Sequence, residues 1–315
     1  MADLLGTIGE ALLAYWSSPF ALIILSVAGG SMATLAYVFV SNARNAKLRV
    51  SLLTALYALT IFFWSFLAAS FLLCVSASGM VAYRANGVRA AVTGAVFAAY
   101  LVTAVLSWFA WRRGSAAILK RFAPREAGED ERWVRDYVEA VAGSEGLRDV
   151  RLGIVDREEP LAMAVGGTRP SVLVSTGLLA ALDGQETQAV VTHELMHLRN
   201  HDAQFKVVST ILSRALFFDP FSKFFDPAVH REREYLADEM SGRTTGRPAA
   251  LASALVKIAA KPAPSKAAWG ISIYSPRGGM FSRYPPLRER VDRLLSLSEL
   301  LSANGEPIGA SRSQS

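Results

Sequence analysis

Three long stretches without a charged residue dominate the hydrophobic pattern of this chain. They cover residues 11–43, 50–83 and 90–111. A helix needs about 20 apolar residues to cross the hydrocarbon core of a bilayer, so each stretch is long enough for one crossing. The pattern predicts a membrane domain over 1–114 that is a bundle of three transmembrane helices. The predicted spans cover about 20–40, 52–77 and 91–111.

Beyond residue 114 the apolar positions follow the shorter periods of a folded domain. Helical spacing predicts helices, and short apolar runs bounded by turn residues predict strands. The predicted helices lie near 130–143, 230–243, 248–260 and 286–301, and the strands at 150–155, 161–166 and 171–175. The chain is therefore expected to be α+β, with a mostly helical domain and a small β-sheet at 115–301 and a disordered tail at 302–315.

Two local features complete this outline. Asp183 and Glu186 have the spacing of a capping box, which predicts the start of a further helix. The stretch 205–218 is apolar but includes Lys206 and Arg214, and it is short for a crossing. It is expected to form a core or interfacial helix, with a segment that dips into the membrane as the alternative.

The charge distribution gives the orientation in the membrane. Residues 1–114 contain seven Lys or Arg and two Asp or Glu, whereas the remaining residues contain 26 and 25. The chain has a sequence pI of about 9.5. This basic character does not come from a nucleic-acid-binding face on the soluble part. Basic residues concentrate after the first and the third span, so the positive-inside rule predicts an N-terminus outside the cell and a cytoplasmic domain after residue 114.

The candidate chemistry lies in the helix that follows Asp183. It contains an H-E-x-x-H motif made by His193, Glu194 and His197. Residues four apart lie on one face of a helix, so both imidazoles can bind one metal ion. Glu194 then lies beside a water on that ion and is the candidate general base. Catalytic zinc usually has three protein ligands, so the motif predicts a third ligand elsewhere.

His201 is the nearest candidate for that ligand, and the spacing argues against it. A metzincin-type site needs its third histidine ten residues after the first, beyond a glycine turn. His201 follows His193 by eight residues without a glycine between them. Three histidines in a row along one helix cannot converge on a tetrahedral ion, so His201 is expected to be a solvated or locally bonded side chain.

The stretch "HREREYLADEM" at 230–240 offers a better ligand. Glu234 and Asp238 lie four apart on one helical face, so Glu234 is predicted to complete a two-histidine, one-glutamate site. Asp238 is predicted to bond the free ring nitrogen of a ligating histidine, His193 in the first place. Glu232 and Glu239 lack such a partner in this register, so they are weaker candidates for the third metal ligand.

Other polar residues near these motifs are expected to have local roles. Asn200 and Asp202 are expected to end the motif helix, and His230 is expected to lie at the surface, with a place near substrate as the alternative. Arg231 and Arg233 are expected on a solvated face near the membrane.

Together these motifs resemble a known family. "HELMHLRNHD" at 193–202, "EYLAD" at 234–238 and "YPPLRERVDRL" at 284–294 are similar to the HtpX-like membrane zinc metallopeptidases, relatives of the CAAX-prenyl endopeptidases. The upstream segment 161–194 resembles that family as well. The three leading spans, "ALFFDPFSKFFDP" and "REREYLAD" also resemble the β-lactam sensor-transducer peptidases.

The first resemblance implies a gluzincin-type fold and a cytosolic active site that cleaves membrane proteins. It also implies that the strand at 161–166 pairs with extended substrate, which makes Ala162, Met163 and Ala164 the candidate contacts. The chain departs from the family at Tyr284, where a histidine is frequent, so no histidine role carries over to that position. The family usually also has membrane helices after the zinc helix.

The function expected from these observations is a membrane-anchored endopeptidase with one Zn²⁺ per chain. Tyr235 and Tyr284 are the candidate hydrogen-bond donors to the oxyanion of the reaction. The expected substrates are polypeptides, in particular membrane or misfolded proteins, and the expected role is quality control. The alternatives are a sensor-transducer protease that cleaves a cytoplasmic regulator, and an inactive zinc-binding membrane scaffold.

Overall fold

The structure is a computed structural model, and it describes most of the chain after residue 117. The exceptions there are 168, 203–205, 207–219, 262–281, 283 and 305–315, together with the side chains of 220–226; before 118 it describes isolated positions. The predicted membrane domain, its spans, most of 205–218 and nearly all of the tail at 302–315 therefore lie outside the described residues. Among those described, no helix combines the length and the apolar character that a bilayer crossing requires.

The chain forms two compact units. One contains 1–109 with 218–225, and the other contains 110–217 with 226–315. The second unit is α+β and mostly helical. Its elements are α1 (Arg132–Ser144), β1 (Arg151–Val155), β2 (Ala162–Val165), β3 (Ser171–Ser175), α2 (Thr176–Ala181), α3 (Gly184–Arg199), α4 (Pro220–Thr245, which begins in the first unit), α5 (Pro248–Ala259) and α6 (Leu287–Ala303).

The three strands form one mixed sheet in the order β1-β3-β2, and their predicted positions are confirmed. The central strand β3 is parallel to β1, with Leu152 beside Val172, and antiparallel to β2, with Met163 beside Leu173. All five residues of β3 are buried. Because alternate side chains of a strand point to opposite faces, Val172 joins a large apolar cluster on one face, and Leu173 joins a smaller one on the other.

The large cluster fixes helix α3, which carries the motif. The predicted capping box starts this helix: the Asp183 carboxylate accepts from the Glu186 amide at 2.9 Å, and the Glu186 carboxylate accepts from the Asp183 amide at 2.9 Å. The middle of α3 is apolar and fully buried, with Val191 and Leu195 at 0% exposure. The helix therefore cannot turn about its axis without breaking the core, and this holds its polar face in place.

Helix α4 begins at Pro220, ten residues before the predicted start, and it contains Pro227 in its interior. The sequence places two prolines here, and the helix begins at the first one. Proline is favoured in the first turn of a helix because its missing amide hydrogen has no partner there. An interior proline weakens a helix without always ending it, and α4 continues through Pro227.

Gly177 in α2 permits a close approach between two backbone segments. A Cβ at this position would lie 1.9 Å from the carbonyl oxygen of Glu158. Gly177→Ala is therefore expected to lower the free energy of unfolding by about 3 kcal/mol, because backbone has to move. Gly143→Ala is the control, since a Cβ there meets nothing within 4 Å in helix α1 and should stabilise by up to about 1 kcal/mol. Equal melting temperatures of the two variants would contradict the packing argument.

Candidate metal centre

The two histidines of the motif face each other on α3. The Nε2 atoms of His193 and His197 are 3.1 Å apart, and the rings are nearly perpendicular, at 88°. His193 is 1% exposed, and the side chain of His197 is 12% exposed. The helix thus presents two imidazole nitrogens at one point, as the four-residue spacing predicts.

Helix α4 brings a carboxylate to the same point. Glu234 Oε2 lies 3.5 Å from His193 Nε2, and Glu234 Oε1 lies 3.6 Å from His197 Nε2. Each of the three residues offers one ligand atom, and these atoms lie within 4.8 Å of one another. The structure therefore brings together the three residues that the sequence predicts as metal ligands.

The spacing of these atoms fits a tetrahedral zinc ion. Two ligand atoms at zinc bonding distances of about 2.0–2.1 Å are roughly 3.3 Å apart in a tetrahedron. The two Nε2 atoms are 3.1 Å apart, and each has a different Glu234 oxygen at 3.5 or 3.6 Å, so these separations lie around that value. In addition, Glu234 Oε2 is buried and accepts no hydrogen bond among the described residues, with the Arg290 guanidinium 3.4 Å away. A buried carboxylate oxygen is costly unless a cation or a donor satisfies it.

The surroundings of the two Nδ1 atoms also indicate a cation site. His193 Nδ1 lies 3.1 Å from Asp238 Oδ1, and His197 Nδ1 lies 2.9 Å from Asp202 Oδ2. An acceptor beside Nδ1 favours the tautomer that has its proton there. When both rings are neutral, as metal ligands must be, their Nε2 atoms then direct lone pairs toward each other across 3.1 Å. A cation between them removes that repulsion, so the donor set fits a metal ion.

Asp238 occupies the predicted position next to His193, and a buried arginine holds it there. Arg290 Nε and Nη2 donate to the two oxygens of Asp238 at 2.7 and 2.6 Å, and Arg290 Nη1 lies 3.4 Å from Glu234 Oε2. Arg290 is 2% exposed. Burial opposes ionisation of Asp238, but Arg290 and His193 outweigh it and hold the pKa of Asp238 below its usual range.

The electrostatics of the centre favour positive charge. Burial disfavours a charged imidazole, yet the carboxylates of Asp238 and Glu234 outweigh it and raise the pKa of His193 to about 9. Burial likewise disfavours ionised Glu234, but His197, His193 and Arg290 hold its pKa far below the usual range. Glu234 therefore carries a full negative charge at neutral pH, as a metal ligand must.

Arg290 was not among the predicted site residues, although the sequence contains a signal for it. Leu294, Leu297 and Leu301 form the buried stripe of α6, and Arg290 lies four residues before Leu294 on the same stripe. A charged residue in an apolar stripe indicates a buried partner, since an unpaired buried charge is very costly. The amphipathic pattern of 286–301 contained this information.

Glu194 is buried beside His193, at 4% exposure. Its charge helps to raise the pKa values of Arg290, Lys206 and Tyr284. Arg290 in turn contacts Glu234. The general-base candidate is thus part of the electrostatic surroundings of the three ligand candidates.

The two tyrosine candidates differ in their surroundings. Lys206 Nζ donates to Tyr284 Oη at 2.8 Å, and burial raises the pKa of Tyr284, with Lys206 opposing the shift. Tyr235 has the Arg293 guanidinium 3.7 Å above its ring, and its hydroxyl bonds Glu289. Tyr235 therefore stays a prediction as an oxyanion donor, with Glu289 of α6 beside its hydroxyl.

Two surface expectations are wrong. His230 and Arg233 are buried, at 7% and 8% exposure, because they lie on the faces of α4 that pack inward. Asp202 was expected to end the motif helix, but that helix ends at Arg199 with Asn200 as its cap, and Asp202 contacts His197 and Arg233 instead. By contrast, Glu239 is half exposed and pairs with Arg243, in agreement with its lower rank. His201 is exposed and has a φ of 56°, in a turn after the helix.

Two histidines from an H-E-x-x-H helix and a glutamate from a later helix define a metallopeptidase centre. A family model described as BlaR1 peptidase M56 matches residues 83–273. The chain therefore belongs to the M56 peptidase family, and its predicted resemblance to HtpX-like metallopeptidases is confirmed by curated relatives.

Two relatives illustrate the extent of the similarity. A protease HtpX homologue of Methanopyrus kandleri is 34% identical over 58% of this chain and 71% of the relative. A protease HtpX homologue of Dictyoglomus thermophilum is 28% identical over 65% of this chain and 82% of the relative. The crystal structure of S. mikatae Ste24p matches 88% of this chain and 99% of its own, at 15% identity and a TM-score of 0.40, which is too low to define the fold.

Proposed function

We propose that this chain is a membrane-anchored zinc endopeptidase that cleaves membrane or misfolded polypeptides. The observation that carries the proposal is the convergence of His193, His197 and Glu234 on one point, with Glu194 beside them. In this proposal the first three residues hold one zinc ion, and Glu194 is the catalytic base. The presence of Glu194, the general base of the motif, argues against an inactive zinc-binding scaffold.

The chemistry follows from these positions. When bound, zinc would polarise the scissile carbonyl and make a water more acidic. Glu194 takes a proton from the attacking water and later donates it to the amine of the leaving strand. Its burial at 4% exposure limits competition from bulk water. Asp238 lies beside Nδ1 of His193, and Arg290 holds Asp238 by direct hydrogen bonds, so the two residues keep the His193 ring in place.

Tyr284 is the better of the two candidates for the oxyanion. Its phenol is held by Lys206 at 2.8 Å, and the charges of Glu234 and Glu194 both act on it. Burial keeps this phenol protonated at neutral pH, so it remains a donor. A preorganised donor of this kind stabilises the charge that develops on the carbonyl oxygen.

The edge strand β2 is the proposed substrate-binding element. It pairs with β3 on one side, and among the described residues no other strand pairs with it. An extended polypeptide can add to such an edge through its main chain. Ala162, Met163 and Ala164 are the contacts proposed here, and their small or flexible side chains fit broad sequence tolerance.

The membrane anchor rests on the three uncharged stretches and on the basic residues beside them. We place the N-terminus outside the cell and the peptidase unit in the cytoplasm, with the lipid bilayer as a permanent partner. Anchoring raises the effective concentration of membrane substrates at the site. A sensor-transducer protease that cuts a cytoplasmic regulator is the second candidate, favoured by the motifs at 215–227 and 231–238.

The test is zinc-dependent proteolysis by the purified full-length chain in detergent. We expect about one zinc per chain by elemental analysis, complete loss of casein cleavage with a zinc chelator, and recovery on adding Zn²⁺. His197→Ala removes one ligand and should bind zinc at least about a hundredfold more weakly, whereas Glu239→Gln on α4 should behave as the unmodified chain. A chain that is folded but holds no zinc, or cleavage that resists the chelator, would overturn the proposed function.

A further inference from the structure

A turn at the end of α3 brings Asp202 back to the helix. The helix ends at Arg199, Asn200 caps it, and His201 has a left-handed φ of 56°. A left-handed residue just past a helix reverses the direction of the chain. As a result, Asp202 Oδ2 lies 2.9 Å from the Nδ1 atom of His197, five residues earlier.

Asp202 is also tied to the helix that carries the third ligand. Its Oδ1 atom accepts a hydrogen bond from Arg233 Nη1. Arg233 directly precedes Glu234 in α4, and both Asp202 and Arg233 are buried, at 6% and 8% exposure. A buried carboxylate and a buried guanidinium persist only when they are paired, so this contact fixes the place of Asp202.

The arrangement repeats the one around the other histidine. Nδ1 of His193 faces Asp238, which is held by Arg290, and Nδ1 of His197 faces Asp202, which is held by Arg233. Asp238 was predicted to bond His193, whereas Asp202 was expected only to end the helix. Beside each Nδ1 atom lies a buried carboxylate that is paired with an arginine, and at His197 the ring also forms a hydrogen bond with that carboxylate.

We propose that Asp202, held by Arg233, is the positioning residue of His197 and selects Nε2 as the nitrogen that faces the metal. The proposal rests on the proposed function, since it needs His197 to be a ligand. An acceptor at Nδ1 keeps the proton on that atom and leaves the lone pair on Nε2 directed at Glu234 and His193. It also stops the ring from rotating, so the ligand atom is in place before the metal arrives.

The experiment compares zinc affinity rather than activity. Asp202→Asn in the full-length chain keeps the shape of the side chain but weakens the acceptor. We expect its zinc affinity, measured by competition with a chromophoric chelator, to fall about 10- to 100-fold. The visible spectrum of the Co²⁺-loaded variant should also differ from that of the unmodified chain. Asp292→Asn, an exposed carboxylate on α6, is the matched control and should change neither.

The outcomes separate this proposal from the proposed function. If the unmodified chain binds zinc and Asp202→Asn binds it equally well with the same Co²⁺ spectrum, Asp202 is merely structural and the inference is wrong. If the unmodified chain binds no zinc, both the proposed function and this inference are wrong. Should Asp202→Asn not fold, Asp202→Glu keeps a charge for Arg233 but shifts the carboxylate by one methylene. It should lose at least about tenfold in affinity, and unchanged affinity would overturn the inference.

Discussion

Replacing Glu194 by Gln is expected to slow peptide cleavage by about 100- to 10,000-fold while zinc stays bound. The amide has the shape of the carboxylate but cannot take a proton from water or pass one to the leaving amine. Because Glu194 is not among the three converging ligand candidates, the metal content should remain near one per chain. The measurement is the initial rate of casein cleavage together with elemental analysis on the same preparation.

The control for this variant is Glu239→Gln, which also removes one carboxylate but at a half-exposed position paired with Arg243. It should retain full activity, since a surface ion pair contributes little. Cleavage at the unmodified rate by Glu194→Gln would remove this residue from the mechanism. Loss of zinc from Glu194→Gln would instead show that the residue supports the metal.

The same variant can reveal the substrates. An inactive chain that still binds polypeptide should retain substrates in the membrane, where they can be isolated with it and identified. A varied set of membrane proteins would support the quality-control function. Enrichment of one soluble regulator would support the sensor-transducer alternative.

Replacing Arg290 by Met is expected to have the largest effect on stability. Arg290 is 2% exposed and bonds both oxygens of Asp238, and it also lies 3.4 Å from Glu234. Removing it leaves two buried carboxylates without their cation. Breaking a buried ion pair in this way costs about 3–5 kcal/mol. For a folded unit of this size, the melting temperature should fall by roughly 10 °C.

The effect should depend on metal. Zinc adds positive charge beside Glu234, so the loss of stability should be smaller in zinc-loaded protein than in protein treated with chelator. Arg288→Met is the control on the same helix, because the Arg288 side chain is 94% exposed and its pair with Asp292 is at the surface. It should change the free energy of unfolding by less than about 0.5 kcal/mol. Similar melting temperatures for both variants would contradict the role given to Arg290.

Much of the site follows from short-range patterns. The capping box at Asp183 and Glu186 starts α3, and the spacing of His193 and His197 follows from the helix period alone. Glu234 and Asp238 share a face of α4 for the same reason, so their joint arrival at α3 was predictable once the helix was assigned. Local periodicity also predicts the three strands.

The misplaced residues have one property in common. Asp202 was expected only to end its helix, Arg233 was expected at the surface and Arg290 was not considered, and the structure buries all three. Charged residues are usually solvated, so a local pattern assigns them to the surface unless a partner is known. Their partners are separated from them by 31 residues for Asp202 and Arg233, and by 52 for Asp238 and Arg290.

The sequence by itself determined which groups can bind a metal, because a helix places residues four apart on one face whatever surrounds it. Only the tertiary structure determined that α3, α4 and α6 meet there, and that each histidine has its own carboxylate and each carboxylate its own arginine. These contacts join distant parts of the chain. They form because a charge removed from water must find its opposite, and the packing of helices decides which one is near.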